Sequence, residues 1–179
     1  MLAGLVAAPV AAAAHGPAHP ASSRGDLISV TPVAHRDAGQ VRSFLAGRDV
    51  DADVVRYGVR AYRLTYRTDD PHGAPTTATG LLTLPMGGPH RLDLVSDTHG
   101  TMVDRDYAPS VSEDFGRMPS YLNASAGRAV AAPDYLGLGK GPGPHPYMDT
   151  ASSVSASLDM LRASRTAADR LGRPLTGDL

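Results

Sequence analysis

The order of the predicted strands and helices constrains the fold of this chain more than any single motif does. Residues 54–68 alternate apolar and polar side chains and change phase at Ala61-Tyr62, which predicts a long strand with a bulge at that step. A turn rich in Asp, Pro and Gly follows, and residues 76–85 predict a second strand. The two strands should form an antiparallel hairpin, which we expect at the edge of a sheet.

Shorter strand and helix patterns surround this hairpin. Residues 27–33 predict a strand, and residues 37–45 predict a helix that Asp37 caps. Residues 92–96 and 128–132 are short apolar segments, each of which runs directly into a loop. This order predicts an α/β fold with a mixed sheet, in which an antiparallel hairpin is followed by parallel strands and crossover helices.

A long helix is predicted after the last of these strands. Asp149 or Thr150 can cap its start, and Gly172 and Pro174 end it. Its apolar residues fall on one stripe at helical spacing: Ala151, Val154, Leu158, Leu161, Ala168 and Leu171. We expect this stripe to face the sheet.

Composition excludes several classes of function. The 17 Lys and Arg residues against 18 Asp and Glu give a formal net charge of −1, so the chain lacks the basic surface that a nucleic-acid partner requires. The chain has no cysteine, which excludes disulfides, a thiol nucleophile and a cysteine-based zinc site. No phosphate-binding or dinucleotide-binding glycine motif and no metal-ligand spacing is present, so we expect neither a cofactor nor a metal.

The first residues are typical of an export signal. Residues 2–14 are small and apolar and end in four alanines, a length that suits a signal peptide and is too short to span a bilayer. We therefore expect a signal peptide at 1–14, a linker at 15–26 and a secreted protein without a stable membrane anchor. The alternative is an ordinary N-terminal helix.

Three loops follow predicted strands or precede the long helix, where open α/β sheets place their binding sites. They are residues 96–101, 133–139 and 141–147. In the first loop, Gly100 can let the backbone turn tightly, so that the amide N–H of the next residue points into a cleft as in an oxyanion hole. The alternative for each loop is a plain turn, with His99 or His145 simply exposed.

Taken together, Ser96-Asp97-Thr98-His99-Gly100-Thr101, then residues 132–139 (Ala-Pro-Asp-Tyr-Leu-Gly-Leu-Gly), then His-Pro-Tyr at 145–147 resemble the secretory-lipase family of α/β-hydrolases. That family includes fungal secreted lipases and actinobacterial exported esterases. The resemblance implies that the backbone N–H of Thr101 is an oxyanion-hole donor and that His99 and Gly100 shape its loop. It also implies that Asp134, Tyr135 and Gly137 line the cleft.

The chain departs from that family after residues 171–179, where the family continues into a strand and a Gly-x-Ser-x-Gly nucleophile elbow. We therefore expect residues 27–179 to form an incomplete α/β-hydrolase domain that ends before the nucleophile strand and contains none of the catalytic triad. The segment Asn123-Ala-Ser-Ala-Gly is not an elbow, because it lacks the first glycine and precedes a strand.

Two functions remain open on these grounds. The first is a secreted serine ester hydrolase that acts on small-molecule or lipid esters, of which these 179 residues without a triad would be inactive by themselves. The second is a non-catalytic secreted α/β module, or a truncated paralogue, with a binding role.

Overall fold

The computed structural model describes residues 23–113 and 115–177. The predicted signal peptide at 1–14 and residues 15–22 of the predicted linker lie outside the described residues, as do residues 178–179. In the described ranges no helix is long and apolar enough to cross a membrane.

Five strands form one mixed sheet in the order β1-β2-β3-β5-β4. Their bounds are β1 Leu27–Arg36, β2 Val59–Asp69, β3 Pro75–Pro85, β4 Leu94–Ser96 and β5 Ala129–Pro133. The first three strands are antiparallel neighbours, β5 pairs antiparallel with β3, and β4 pairs parallel with β5. The predicted mixed sheet is therefore confirmed. The hairpin of β2 and β3 does not lie at the edge, because β1 covers β2.

Three α-helices cover the sheet: α1 Ala38–Ala46, α2 Met118–Ser125 and α3 Thr150–Arg170. The predicted cap of α1 is confirmed, since Asp37 Oδ1 accepts the N–H of Gln40 (2.8 Å) and Gln40 Oε1 accepts the N–H of Asp37 (2.9 Å). Sequence analysis did not predict α2, which has eight residues and a proline in its first turn. Ser125 is the last residue of α2 and leads into a strand, not out of one.

The phase change in β2 has a cause other than the predicted bulge. Val59 and Ala61 pack with α1 and α2 on one face of the sheet, whereas Leu64 and Tyr66 pack with α3 on the other face. The pairing of β2 with β3 is continuous, whereas the pairing of β1 with β2 is irregular between Leu27 and Ser29 and between Pro32 and Ala34. The second irregularity lies opposite Ala61-Tyr62, so an irregularity is present at the predicted step, but the extra residue belongs to β1 and not to β2. The alternation of β2 shifts because its two halves bury opposite faces.

The predicted apolar stripe of α3 is also wrong in its first half. Val154 and Leu158 are 51% and 47% exposed, while the buried face consists mostly of small residues. That face contains Ser152, Ala156, Asp159, Met160, Ala163, Ser164, Ala167 and Ala168. Small side chains let the helix lie close to the sheet, where Met160 fits over Gly80: a Cβ at Gly80 would come within 2.7 Å of Met160 Sδ.

A buried ion cluster accounts for the charged residue on this face. The Asp159 carboxylate is fully buried and accepts hydrogen bonds from Arg24 Nε (2.9 Å) and Arg162 Nη1 (2.6 Å). Because both arginines are partly exposed, the charges are paired while the cations keep part of their hydration. Asp159 thereby joins the segment before β1 to the middle of α3.

After α3 the chain returns to the start of β4. Leu175 pairs with Leu92 in a parallel bridge, with hydrogen bonds from the N–H of Leu92 to Pro174 O (3.0 Å) and from the N–H of Thr176 to Leu92 O (2.9 Å). Arg173 strengthens this junction through donations to the carbonyl oxygens of Pro85 (2.7 Å) and Gly87 (2.8 Å). The chain at Leu175 therefore runs in the same direction as β4.

Candidate active site

The two loops that follow β4 and β5 meet at one edge of the sheet. Because these strands are parallel neighbours, their carboxyl ends lie side by side, and the His99 and Tyr135 rings pack with centroids 4.4 Å apart. The hydroxyl of Tyr135 donates to the carbonyl oxygen of His99 (3.3 Å). The convergence of these loops, expected from the strand pattern, is thus present in the structure.

The loop of His99, Gly100 and Thr101 presents unpaired backbone donors. Within the described residues no acceptor takes the amide N–H of Thr101, and the residue is exposed. Gly100 is not in the left-handed region, and a Cβ there would meet open space, so the loop does not depend on glycine geometry in the way the sequence suggests. The ring of His99 contacts the backbone of this loop, since its Nδ1 lies 2.7 Å from the Gly100 carbonyl oxygen.

A pocket of about 270 Å³ lies where the three predicted loops meet. The first loop contributes His99, Gly100 and Thr101 to its wall, and the second contributes Tyr135 and Leu138. Its remaining lining residues are Met102, His145, Tyr147, Met148, Asp149, Thr150 and Ser153. A larger cavity of about 800 Å³ is also lined by His99, with Asp97, Thr98, Met102 and residues between 106 and 119. Residues 97–101, the candidate loop, thus border two spaces that could each receive part of a substrate.

Tyr135 has a strained backbone. Its φ of +67° lies in the left-handed region, which residues other than glycine seldom occupy. Such strain persists only where the surroundings enforce it, and it is frequent at functional sites. Partial burial raises the pKa of the Tyr135 hydroxyl, which stays protonated as a donor to His99.

Asp134 does not line the cleft, in contrast to the expectation from the resemblance. Its carboxylate is fully buried behind the loop, where Oδ2 accepts the hydroxyls of Thr79 (2.5 Å) and Ser110 (2.5 Å) and Oδ1 accepts the N–H of Ser110 (2.9 Å). Burial raises the pKa of Asp134, and the hydrogen bonds from Ser110 and Thr79 oppose that shift. Asp134 therefore joins β3, β5 and residues 105–112 from within.

Gly137 is likewise buried and packs against a neighbouring segment instead of lining either space. Its φ is +71°, and a Cβ there would overlap the peptide between Pro144 and His145. Arg105 Nη2 donates to the carbonyl oxygens of Gly137 (2.9 Å) and Gly141 (2.6 Å) and so closes the loop. Sequence analysis gave no signal for Arg105, because a single arginine between predicted elements has no recognisable spacing.

The unpredicted helix α2 also reaches the site. Ser120 Oγ donates to Asp97 Oδ2 (3.3 Å), at the residue directly after β4, and burial raises the pKa of Asp97. His145 contacts the loop after β5, with Nδ1 2.8 Å from Leu136 O. Thus α2 contacts the segment directly after β4, and the loop before α3 contacts the loop after β5.

The described residues supply backbone donors and substrate space but do not assemble a catalytic triad. Among them, no serine hydroxyl is hydrogen-bonded to a histidine ring, since His99 and His145 contact only carbonyl oxygens. In the same ranges no group of three His, Asp or Glu side chains could hold a metal ion. The chemistry that this arrangement can perform is the binding of a negatively charged oxygen by amide N–H groups.

Comparison with known proteins gives matches to solved structures. No protein-family model matches the chain, and no curated protein sequence matches it. The rice cell wall degrading esterase LipA of Xanthomonas oryzae is 31% identical with a TM-score of 0.72, over 87% of this chain. A putative hydrolase of Legionella pneumophila is 29% identical with a TM-score of 0.77, over 84% of this chain. Lipase A of Candida antarctica, 16% identical, matches 83% of this chain with a TM-score of 0.59.

The chain spans 41% of the length of the Xanthomonas and Legionella structures and 33% of the length of the Candida structure. The chain therefore has an α/β-hydrolase fold, which it shares with these esterases and lipases.

Proposed function

We propose that this chain is part of a secreted serine ester hydrolase in which the backbone N–H of Thr101 stabilises the oxyanion. The observation that carries the proposal is the unpaired N–H of Thr101, exposed in a pocket at the carboxyl edge of two parallel strands. The similarity to the Xanthomonas esterase structure supports the same chemistry. In that reaction a serine attacks the ester carbonyl, and the carbonyl oxygen becomes negatively charged.

Each structural part has a role in this proposal. The N–H of Thr101 binds the developing oxyanion, and the two spaces beside His99 receive the acyl and alcohol portions of a small-molecule or lipid ester. The serine, the acidic residue and the catalytic histidine are supplied from outside the described residues. The apolar segment at 2–14 directs export of the protein.

The first test compares the 179-residue chain with the protein that the complete gene encodes. We expect the coding sequence to contain a Gly-x-Ser-x-Gly elbow beyond these codons, and we expect that protein to hydrolyse p-nitrophenyl acetate or butyrate. The 179-residue chain by itself should show no turnover above buffer. Turnover by the chain that a serine-directed phosphonate abolishes would contradict the second expectation. A complete protein without hydrolysis or phosphonate labelling would instead favour a non-catalytic binding module.

The second test concerns the proposed donor. Thr101→Pro removes the backbone N–H, whereas Thr101→Ala keeps it and serves as the matched control. In the complete enzyme we expect Thr101→Pro to lower kcat by roughly 10²- to 10³-fold with little change in KM, as loss of an oxyanion donor does. Circular dichroism establishes that both variants are folded. Equal kcat values for the two variants would exclude the Thr101 N–H as the donor.

A further inference from the structure

We propose that His99 is a positioning residue whose Nδ1–H holds the Gly100 carbonyl and thereby fixes the direction of the Thr101 N–H. The contact between His99 and Gly100 is observed in the structure, whereas its effect on catalysis rests on the proposed function. Nδ1 lies 2.7 Å from the Gly100 oxygen, a full hydrogen-bond distance. An unprotonated Nδ1 would direct its lone pair at the oxygen lone pairs, so this distance requires the proton on Nδ1.

The geometry of the peptide bond transmits this contact to Thr101. The Gly100 carbonyl and the Thr101 N–H belong to one planar peptide unit, and every described peptide bond is trans. In a trans unit the C=O and N–H point in opposite directions. A ring that holds the Gly100 oxygen on one side therefore sets the Thr101 N–H on the other side.

The ring of His99 is itself held in place by the loop after β5. Its face packs on the Tyr135 ring, with the ring centroids 4.4 Å apart. The Tyr135 hydroxyl donates to the His99 carbonyl oxygen (3.3 Å), which fixes the preceding peptide unit between His99 and Gly100. Two consecutive peptide units are thus held by two side chains.

Other restraints on this loop are few. Within the described residues, the backbone N–H groups of residues 98–103 donate to no backbone acceptor, and Gly100 is not left-handed. The backbone of Tyr135 is left-handed, and its ring packs on His99 while its hydroxyl donates to the His99 carbonyl. The side-chain contacts of His99 and Tyr135 therefore take the place of secondary-structure hydrogen bonds in orienting the proposed donor.

The first experiment does not depend on catalysis. In the histidine-labelled 179-residue chain, ¹⁵N NMR should show a proton on Nδ1 of His99, and the amide of Thr101 serves as the reporter. His99→Phe keeps a ring against Tyr135 but removes the N–H, whereas the side-chain amide of His99→Asn can replace the Nδ1 donor. We expect the Thr101 amide resonance to move in His99→Phe and to stay near its original position in His99→Asn.

The matched control is His90→Phe, which removes an exposed imidazole on another loop. It should leave the Thr101 resonance unchanged. If His99→Phe fails to fold, Tyr135→Phe provides a second route, because it removes only the hydroxyl that holds the His99 carbonyl. That variant should shift the Gly100 amide resonance. An unprotonated Nδ1, or amide resonances that neither variant moves, overturns the proposal.

The second experiment measures catalysis in the complete enzyme. We expect His99→Phe to lower kcat by roughly 10- to 100-fold with KM within about twofold, because a misdirected donor weakens transition-state binding most. His99→Asn should recover most of the loss, which a merely structural role would not produce. If His99→Phe matches His90→Phe in kcat, the positioning role is refuted although the hydrolase remains. If the unmodified enzyme hydrolyses no ester, the proposed function and the catalytic consequence fail together, while the NMR result still decides the hydrogen bond.

Discussion

Asp134 is a buried carboxylate whose three donors come from two different parts of the chain. Thr79 belongs to β3, and Ser110 lies between Pro109 and Ser112, which line the larger cavity. A carboxylate that collects several donors in this way fixes the loops around it, and removal of the acceptor would leave those donors unpaired. The carboxyl group predicted to face the cleft therefore holds the cleft together from behind.

The pH dependence of stability should report this burial. Because burial raises the pKa of Asp134, the folded chain keeps a proton that the unfolded chain has already released. Stability contributed by Asp134 is thus complete below the unfolded-state pKa of about 3.9 and is lost as pH rises through the raised folded-state pKa. Asp134→Asn, which stays neutral, should remove this decline. Urea denaturation of both proteins across this pH range measures it, and a difference that grows with pH in favour of the unmodified chain would contradict the sign.

Gly139 should be hard to replace, because it packs directly against the Asp134 carboxylate. Its φ is +57°, and a Cβ there would overlap Asp134 Oδ2 and lie 2.9 Å from Thr79 Oγ1. Gly143 is a matched control with φ +71° and no heavy atom within 4 Å. We expect Gly143→Ala to cost about 1 kcal/mol through backbone strain and Gly139→Ala to cost about 3 kcal/mol or more through strain and overlap. Equal denaturation midpoints for Gly139→Ala and Gly143→Ala would show that the side chains of Asp134 and Thr79 can move to accommodate a methyl group at residue 139.

At the scale of elements, α3 shows that the larger apolar residues need not mark the buried face of a helix. Its sheet-facing side is built from Ala156, Met160, Ala163 and Ala167, which are all fully buried. A helix with small residues on this side can approach the sheet closely, and the larger Val154 and Leu158 remain about half exposed. Burial here follows the fit between surfaces more than the hydropathy of single residues.

Two truncations on the same helix test this orientation. Met160→Ala should destabilise the fold by about 3 kcal/mol, because it empties a fully buried position over Gly80. Leu158→Ala should change the free energy of unfolding by no more than about 0.5 kcal/mol, since the side chain is 47% exposed. Guanidine denaturation of both variants gives the comparison. The reverse order would indicate that the stripe predicted from the sequence is the buried one.

The elements that sequence analysis predicted are those specified by local patterns. The hairpin of β2 and β3, the Asp37 cap and the Asp149 cap depend on residues close in the chain, and all are present in the structure. The change of buried face along β2 and the buried face of α3 depend on which layers cover the sheet, so alternation and helical spacing could not determine them. The role of Asp134 depends on Thr79 and Ser110, which are distant in sequence.

At the scale of the whole molecule, the sheet is unevenly supported. β2 pairs with β1 and β3 along most of its length, and β3 pairs with β2 throughout and with β5 over residues 80–83. β4, by contrast, has three residues and, in the described chain, one strand partner. The candidate loop after β4 is therefore attached to the weakest strand. Its orientation has to come from contacts with the β5 loop and α2.

Hydrogen exchange should show that local stability decreases from β2 and β3 to β4 and the loop after it. We expect backbone amides of β2 and β3 to exchange slowest, at rates set by global unfolding, and amides of β4 to exchange fastest among the strands. Residues 98–103, which lack backbone acceptors, should exchange faster still. Exchange measured by mass spectrometry on overlapping peptides resolves the three groups. Protection of Val95 equal to that of Leu82 would show that β4 opens only with the whole sheet.

Because β5 lies between β3 and β4 in the sheet, it also determines the order in which the strands can pair during synthesis. β1, β2 and β3 follow one another in the chain and can pair as soon as Pro85 has left the ribosome. β4 is finished at Ser96, but its partner β5 starts at Ala129, and at 5–20 residues per second that interval lasts roughly 2 to 7 s. Until β5 has been synthesised, β3 lacks a partner on one edge, and we expect the candidate loop to remain unordered. The part of the molecule proposed to do chemistry is thus among the last to be assembled.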